Sequence, residues 1–376
     1  MARFLWLNWC GGGNLPPSLG IARALSERGH SVAFAGRPEM VSRVAAAGFR
    51  AIELTAAYEQ LEKYPQGSPL RRAACYLTSP ASAAQLRGVV ASEAPDIVLI
   101  DGMFPAALSE AAGFGRPTAV ICHTFLFRAL EIWRQQIARL NGMRVQAGFS
   151  ALPGLDELWP AQTRVVVTTL AEFDTPRAAG WEMVRHVGPV LEDETRAVPA
   201  SLPWGDDDVT PLVLVSFSTG FEQRSADKLQ RSLAALAGLP VHVVATTGAI
   251  VEAGELSAPA NAIVLDFAAH DPIIRRAALV VTHGGHGTAM RALAHGVPMI
   301  FMPGLAHDQP VVAGAVAEWG AGQALAGDAD AFTIRAAARE ILFTPSYRSN
   351  ARRRAASLAG INAASNAANE LEGLVR

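Results

Sequence analysis

The sequence predicts an α/β protein of two domains, each a parallel sheet covered by helices. Three observations support this prediction. The chain has 376 residues, which is too long for one ordinary hydrophobic core. Short apolar runs alternate with stretches of helical periodicity, as in helix-covered parallel sheets. A segment rich in proline and acidic residues, 191–210, separates two such alternating blocks and indicates a linker between domains at 1–190 and 211–345.

The first block contains continuous apolar runs that predict strands buried on both faces. A stretch with leucine and alanine at helical spacing follows the first run and ends at Gly29, where a C-cap glycine fits. The predicted strands are 3–9, 31–36, 95–102, 117–125 and 163–170.

The second block repeats this alternation without a detectable sequence period. The architecture expected is therefore two Rossmann-like domains facing each other across a cleft, with the ligands at the carboxyl ends of the strands. The predicted strands are 211–220, 239–248, 261–267, 278–285 and 297–304.

Composition excludes several classes of protein. Half of the residues are hydrophobic, 18% are charged and the formal net charge is -2, so neither disorder nor a cationic nucleic-acid groove is expected. The three cysteines form no metal pattern, which suits a reducing compartment. No apolar segment approaches the roughly 20 residues of a membrane span. We expect a soluble cytoplasmic protein with no nucleic-acid or membrane partner.

A His-Gly-Gly sequence follows the apolar run at 278–282 and precedes a predicted helix at 287–295. Glycines leave the first N–H groups of that helix accessible, and the helix dipole favours an anion there. His283 and Thr288 add two hydrogen-bonding side chains. The group predicts a phosphate or diphosphate site. Glycines that only permit a tight turn are the alternative.

Polar residues also follow the neighbouring predicted strands. Asp308 and Gln309 come after 297–304 and could hydrogen-bond sugar hydroxyls, although Asp308 could instead cap a helix. Phe267, at the end of 261–267, could contact a base. Residues 126–160 carry several aromatic side chains with weak periodicity, which fits either core packing or an apolar pocket wall.

The segment from Phe267 to Pro310 resembles the donor-binding segment of the inverting, GT-B-fold glycosyltransferases of family 1, which include bacterial enzymes acting on natural products. The order of motifs is that of the family: a base-binding strand end, His-Gly-Gly-x-Gly-Thr, a helix, Gly-Val-Pro and then Asp-Gln. A looser similarity covers the rest of the chain. The resemblance implies a GT-B fold whose C-terminal helices, 346–376, cross back to the first domain.

The resemblance also implies roles for individual residues. No metal and no cofactor are implied, because helix dipole and side chains offset the charge of the leaving diphosphate. The diphosphate would bind at His283, Gly284, Gly285, Thr288, Ser218 and Thr219, the sugar at Asp308 and Gln309, and the base at Phe267, Ala268 and His270. The acceptor would lie beside Gly12, Asn14, Phe125 and Trp133.

One departure from the family concerns the catalytic base. Many relatives place a histidine where this chain has Gly12, and Asp101 matches the aspartate that orients it. Asp101 could act directly, with His123 as a second candidate, but a carboxylate is a weak base for an aliphatic alcohol. We therefore expect an aromatic or polyketide acceptor whose hydroxyl loses its proton easily. The sugar could be attached to oxygen or to carbon.

A second departure is Arg291, where UDP-using relatives commonly carry a glutamate that binds ribose hydroxyls. A guanidinium cannot accept those bonds, which favours a dTDP-sugar over a UDP-sugar. The predicted protein is an inverting glycosyltransferase, expected as a homodimer. Two alternatives are a weak or inactive sugar-nucleotide-binding accessory protein, suggested by Gly12, and an NADP-dependent oxidoreductase, suggested by the glycines at 11–13 and by Arg37.

Overall fold

The computed structural model describes two compact units. The first comprises Met1–Glu192 with Asn362–Arg376, and the second Asp193–Ile361. The residues described are 1–8, 13–56, 80–146, 148–175, 180–191, 202–205, 207–217, 226–248, 251, 253–304 and 308–375.

The first unit is built on a parallel sheet, in which seven strands are described, in the order β3-β2-β1-β4-β5-β6-β7. Its central strands are buried along their whole length, as expected of a sheet covered on both faces. The strands are β1 Arg3–Asn8, β2 Ser31–Gly36, β3 Arg50–Glu53, β4 Ile97–Asp101, β5 Thr118–Cys122, β6 Arg164–Val167 and β7 Val184–His186.

Helices connect these strands. From β1 the sheet extends through β2 to β3 on one side, and β4 then pairs with the other side of β1. The carboxyl ends of β1 and β4 therefore form a topological switch point, where ligands bind in open parallel sheets. Asp101 is the last residue of β4. The helices are α1 Leu15–Glu27, α2 Pro38–Ala46, α3 Pro80–Glu93, α4 Pro105–Glu110, α5 Leu130–Gln146 and α6 Leu155–Leu158.

The second unit contains a parallel sheet with six described strands in the order β10-β9-β8-β11-β12-β13. Its switch point lies between β8 and β11, so the residues after β11 stand at its centre. Two Rossmann-like domains were expected, and this is confirmed. The strands are β8 Leu212–Ser216, β9 His242–Thr246, β10 Ala262–Leu265, β11 Ala277–Thr282, β12 Met299–Phe301 and β13 Gly322–Ala324.

The helices of the second unit lie between its strands and after them. They are α7 Ala226–Leu236, α8 His270–Arg276, α9 His286–Ala294, α10 Gln309–Glu318, α11 Ala331–Phe343 and α12 Pro345–Leu358.

The last helix, α13 Ala363–Glu372, belongs to the first unit and packs on α1. Its buried face, which includes Ala367 and Leu371, joins the core cluster of β1 and α1. Glu372 accepts hydrogen bonds from Arg28 at 2.7 Å and His30 at 2.8 Å. Since α12 packs on α9 in the second unit, the predicted C-terminal block 346–376 is divided between the units.

Candidate active site

The connection from β11 to α9 requires glycine at position 284 and is tightly packed at position 285. Gly284 has a φ of 96°, and a Cβ there would lie 2.8 Å from the carbonyl oxygen of Gln309. A Cβ on Gly285 would lie 2.7 Å from the Nε2 atom of His283. The turn therefore lies close to Gln309, the first residue of α10, on one side. On the other side it lies close to the imidazole of His283. Two predicted site residues distant in sequence, Gly284 and Gln309, are brought together in this way.

Helix α9 begins without a side-chain cap. Its N-cap residue is Gly285, which has no side chain to accept from the first N–H groups. Gly287 is exposed and Thr288 is partly exposed in the first turn. The observed start at His286 is one residue earlier than predicted. This end of the helix offers N–H donors, a hydroxyl and a positive dipole end on one side of the switch point.

His283 is neutral at physiological pH. Burial and then the nearby charge of Lys228 lower the pKa of His283 to about 4. Its Nδ1 atom lies 3.4 Å from the hydroxyl of Thr282. The imidazole can therefore donate or accept a hydrogen bond, but the positive charge at this edge belongs to Lys228.

Lys228 was not predicted. It lies in α7, and its Nζ atom donates to the carbonyl oxygens of Met302 at 3.0 Å and Pro303 at 3.1 Å, just beyond β12. The side chain thus lies just beyond β12, the strand next to β11, where its charge acts on His283. A lysine in an amphipathic helical stretch is typical of an exposed face, so nothing in the sequence distinguished it.

The predicted base-binding residues are an exposed ring, a buried alanine and a half-buried histidine. Phe267 is 53% exposed and Ala268 is buried. His270 faces inward, with Nε2 at 3.2 Å from the hydroxyl of Thr246, which donates to Ser216 at 2.8 Å. Burial and then the charge of Arg291 lower the pKa of His270 to about 4.

Arg291 belongs to an ion-pair cluster in the second unit. Its guanidinium lies 3.7 Å from the carboxylate of Asp271, and the Arg291 side chain is 12% exposed. Asp271 also interacts with Arg275 and with His295, each at 2.7 Å. The carboxylate of Asp271 holds Arg291 beside α8.

Asp308 and Gln309 lie at the start of α10. Asp308 occupies the N-cap position, but its side chain makes no cap hydrogen bond, so the capping alternative is not what the structure shows. Gln309 is 3% exposed, and its Oε1 atom accepts from the N–H of Gly304 at 2.7 Å. The side-chain oxygen of Gln309 thus stabilises the turn after β12.

In the first unit, Asp101 is fully buried at the end of β4. Its Oδ2 atom accepts from the amide of Asn14, and its Oδ1 atom accepts from the N–H of Met103 at 2.8 Å. Both oxygens therefore accept hydrogen bonds from the protein, and a direct role of Asp101 as the base stays a prediction. The second candidate, His123, has its Nε2 atom 3.3 Å from the hydroxyl of Ser18.

The aromatic residues predicted to contact an acceptor are part of the core. Phe125 has no exposed surface and Trp133 is 7% exposed, while the Trp133 indole donates to the carbonyl of Phe125 at 3.0 Å. Trp133 also packs on Trp159, with ring centroids 5.7 Å apart. In this structure these rings are packed in the core, and their contact with an acceptor stays a prediction. Gly12, Ser218 and Thr219 lie outside the described residues.

Comparison with known proteins identifies relatives of both units. Residues 230–374 match the family model of the erythromycin biosynthesis protein CIII-like, C-terminal domain. Erythronolide mycarosyltransferase of Saccharopolyspora erythraea is 26% identical over 373 residues, or 88% of each chain. Demethyllactenocin mycarosyltransferase of Streptomyces fradiae is 26% identical over 77% of this chain and 68% of its own length.

Solved structures agree over the whole chain. The calicheamicin glycosyltransferase CalG4 superposes with a TM-score of 0.78 at 22% identity, over 100% of this chain and 98% of its own. This chain has the GT-B fold, and the relatives it matches are glycosyltransferases. The glycosyltransferase VinC, solved with dTDP, has a TM-score of 0.74 at 20% identity, over 99% of both chains. The family and the GT-B fold predicted from the sequence are thus confirmed.

The matches differ in extent among relatives of this glycosyltransferase. 4′-Demethylrebeccamycin synthase of Lentzea aerocolonigenes is 34% identical over 213 residues, which are 55% of this chain and 49% of that protein.

No described helix has the length and apolar character needed to cross a membrane. Within the described ranges, no group of three or more His, Cys, Asp or Glu side chains is arranged to hold a metal ion.

Proposed function

We propose that this glycosyltransferase transfers a sugar, with inversion, from a nucleotide diphosphate donor to a small natural-product acceptor. The observation that carries the proposal is the β11–α9 turn. Glycine is required at position 284, and the turn opens the uncapped start of α9 beside a neutral His283. Such an end binds the diphosphate through N–H donors and the helix dipole.

The nucleotide proposed is a dTDP-sugar. Two structural neighbours, VinC and SsfS6, were solved with dTDP or thymidine diphosphate. Arg291 has no acceptor atom for ribose hydroxyls and is held beside Asp271, so a deoxyribose suits this position better than a ribose. The exposed ring of Phe267 offers a face on which thymine could stack.

Transfer without a metal ion or a cofactor is also part of the proposal. The leaving diphosphate develops negative charge as the bond to the sugar breaks. The N-terminus of α9 and the ammonium of Lys228 supply positive potential at the same switch point, which is the role that a cation would otherwise have. Activity should therefore persist in EDTA.

The acceptor proposed is an aromatic or polyketide hydroxyl compound of antibiotic type. Relatives named for lactenocin, rebeccamycin and erythronolide support a natural-product acceptor. The buried Asp101, which accepts hydrogen bonds from the protein at both oxygens, favours an acceptor that needs little help from a base, such as a phenol. The choice of sugar, O- or C-attachment and a homodimer stay predictions.

Ligand-dependent thermal stability tests the donor. A ligand that binds only the folded protein raises its melting temperature, so dTDP should stabilise the chain more than UDP, and NADP should not. The variant His283→Ala should lose most of this stabilisation. His242→Ala is the matched control, because His242 lies in the same unit on an ion pair with Asp208. Stabilisation by NADP alone would contradict the proposal.

Turnover tests the reaction itself. Incubation with dTDP-glucose and a panel of polyphenols, followed by mass spectrometry, should detect a product heavier by one hexosyl group. Tight dTDP binding without a product for any acceptor would favour the accessory protein, a second candidate supported by the inward-facing carboxylate of Asp101.

A further inference from the structure

The second unit has a cavity at the end of its sheet opposite the position proposed for the diphosphate. One wall lies at the amino ends of β11 and β12, where Ala278 and Pro298 line it. The corner between α11 and α12 forms the other wall. Successive strand residues rise by about 3.3 Å, so the chain from Ala278 to His283 spans about 16 Å. The cavity is therefore distinct from the site described above.

The size and one wall of this cavity suit a small ligand with an apolar part. Its volume is about 270 Å³. Sites for drug-sized ligands occupy roughly 300–1,000 Å³, so a molecule of one or two rings would fill this one. Ile341 and Leu342, near the end of α11, line the cavity together with Ala278 and Pro298. These four side chains provide an apolar surface on which a ring or a short hydrocarbon chain can pack.

Two arginines of α12 give the cavity a positive charge. Arg348 and Arg352 are four residues apart, so they lie on the same face of the helix, and both line the cavity. Thr344 and Ser349 add two hydroxyl groups to the lining. No acidic residue is among the described residues that line it. The cavity is thus apolar on one side and cationic on the other.

The described part of the protein does not neutralise this pair of charges. Arg348 is half-buried, and its Nη1 atom donates to the carbonyl oxygen of Ala277 at 3.0 Å, which is an uncharged acceptor. Burial and then the charge of Arg352 lower the pKa of Arg348, and no described carboxylate counteracts them. Like charges four residues apart on a helix repel each other. An anion between the two guanidinium groups would remove this repulsion.

The other two arginines near the end of α12 differ in this respect. Arg353 donates to the side chain of Asn350 within the same helix. The guanidinium of Arg354 lies over the ring of Trp319, 4.9 Å from its centroid. Neither of them lines the cavity. The positive charge that lacks a partner among the described residues is therefore located at the cavity.

We infer that this cavity is a second ligand site, which binds a small organic anion with an apolar body. The carboxylate or phosphate group of this ligand accepts hydrogen bonds from Arg348 and Arg352, and such charge-assisted bonds are stronger than neutral ones. Its ring or short chain packs on the wall that includes Ile341. A neutral ligand leaves the two charges uncompensated, and inorganic phosphate leaves the apolar wall without a partner. The combination of both features defines the ligand class.

The first experiment measures the affinity of the full chain for 2-naphthoate by saturation-transfer NMR, with dTDP present in excess. A dissociation constant in the millimolar range or lower is expected for a ligand of this size. Arg352→Gln should weaken binding about tenfold or more, the value of a hydrogen bond to a charged group. Arg352 is exposed, so this variant should fold. Arg353→Gln is the matched control: it removes the same charge from the next residue of α12 and should change the affinity by less than about twofold.

Two further comparisons separate the charge from the shape of the site. The neutral amide naphthalene-2-carboxamide has the same rings as 2-naphthoate, and the natural protein should bind it about tenfold or more weakly. Arg352→Gln should leave that weaker affinity unchanged. Ser349→Phe places a ring in the cavity without altering any charge, since Ser349 is exposed and lines it, and this variant should lose 2-naphthoate binding.

Several results would overturn the inference. They are the absence of saturable 2-naphthoate binding, its displacement by dTDP, and equal affinities in the natural protein, Arg352→Gln and Arg353→Gln. Binding of the amide as tightly as the carboxylate would overturn it too. All of these are binding measurements that need no sugar transfer, so the inference and the proposed function are tested independently.

Discussion

Gly284 and Gln309 are in contact across two β–α connections: a side chain on Gly284 would meet the Gln309 carbonyl oxygen at 2.8 Å. This contact joins the turn that carries His283 to the start of α10, which carries the residues predicted to bind the sugar. It combines a φ of 96° with close backbone approach, and both conditions exclude a β-carbon.

Gly284→Ala should therefore destabilise the second unit by at least about 1–3 kcal/mol, the cost of a non-glycine residue in this conformation, and should abolish dTDP binding. Gly287→Ala is the control in the same segment, since a Cβ there meets nothing within 4 Å. It should keep or slightly increase stability. Urea unfolding measures both, and equal stability of the two variants would contradict the described turn.

Acid should destabilise the chain through His270 and His283. Each has a pKa of about 4 in the folded protein, against an ordinary value of 6.5. Between these values the unfolded chain binds protons that the folded chain does not, so the free energy of unfolding rises with pH through the window and falls as pH drops towards 4.

The contribution near pH 5 is about 1 kcal/mol per pH unit for each histidine. His270 and His283 together contribute part of the slope of the free energy of unfolding against pH. His270→Asn should remove about half of that part. Thr246→Val is the control, because it removes a hydrogen bond of His270 but no titrating group. Urea midpoints at pH 7, 6 and 5 give the slopes, and an unchanged slope in His270→Asn would show that its pKa is not depressed.

Lys228→Met should weaken dTDP binding by about tenfold or more, because it removes a positive charge beside the diphosphate position. It also leaves the carbonyls of Met302 and Pro303 without their donor, so stability should fall by roughly 1–3 kcal/mol. Arg231→Met is the control one turn along α7, where the guanidinium bonds to Gly327. Calorimetric titration of dTDP into each variant makes the comparison, and equal losses would contradict a role for Lys228.

Arg291→Glu should shift nucleotide preference towards UDP by several-fold, because a carboxylate accepts hydrogen bonds from ribose hydroxyls and a guanidinium does not. The new carboxylate would lie near Asp271, so the variant is best made together with Asp271→Asn, which removes the like-charge repulsion. Asp271→Asn alone is the control. The ratio of UDP to dTDP dissociation constants is the measurement, and an unchanged ratio would remove Arg291 from donor selection.

Leu371→Ala should destabilise the first unit by about 2–4 kcal/mol, as expected for a fully buried leucine. Leu371 lies in α13, which returns to α1 from the end of the chain. Val375→Ala, at a 37% exposed position in the same segment, is the control and should cost far less. Thermal unfolding of both variants tests whether the last helix is part of this core.

The sequence by itself determined the two alternating blocks and the position of the His-Gly-Gly turn. These features depend on local chemistry: the apolar period of a buried strand, the end of a helix and the conformational freedom of Gly284 are all written within a few residues. The start of α9 was accordingly predicted to within one residue. The parallel order of the sheets followed from the same alternation.

Only the tertiary structure decided which side chains meet. Asp101 lies against Asn14, and Lys228 against Met302, through contacts that span 87 and 74 residues. The same applies to Phe125, whose ring is buried in the core, where the sequence left core and pocket wall open. Periodicity shows which face of an element is apolar, but the partner of a polar or aromatic group depends on how distant strands and helices pack, and that packing is set by the whole chain.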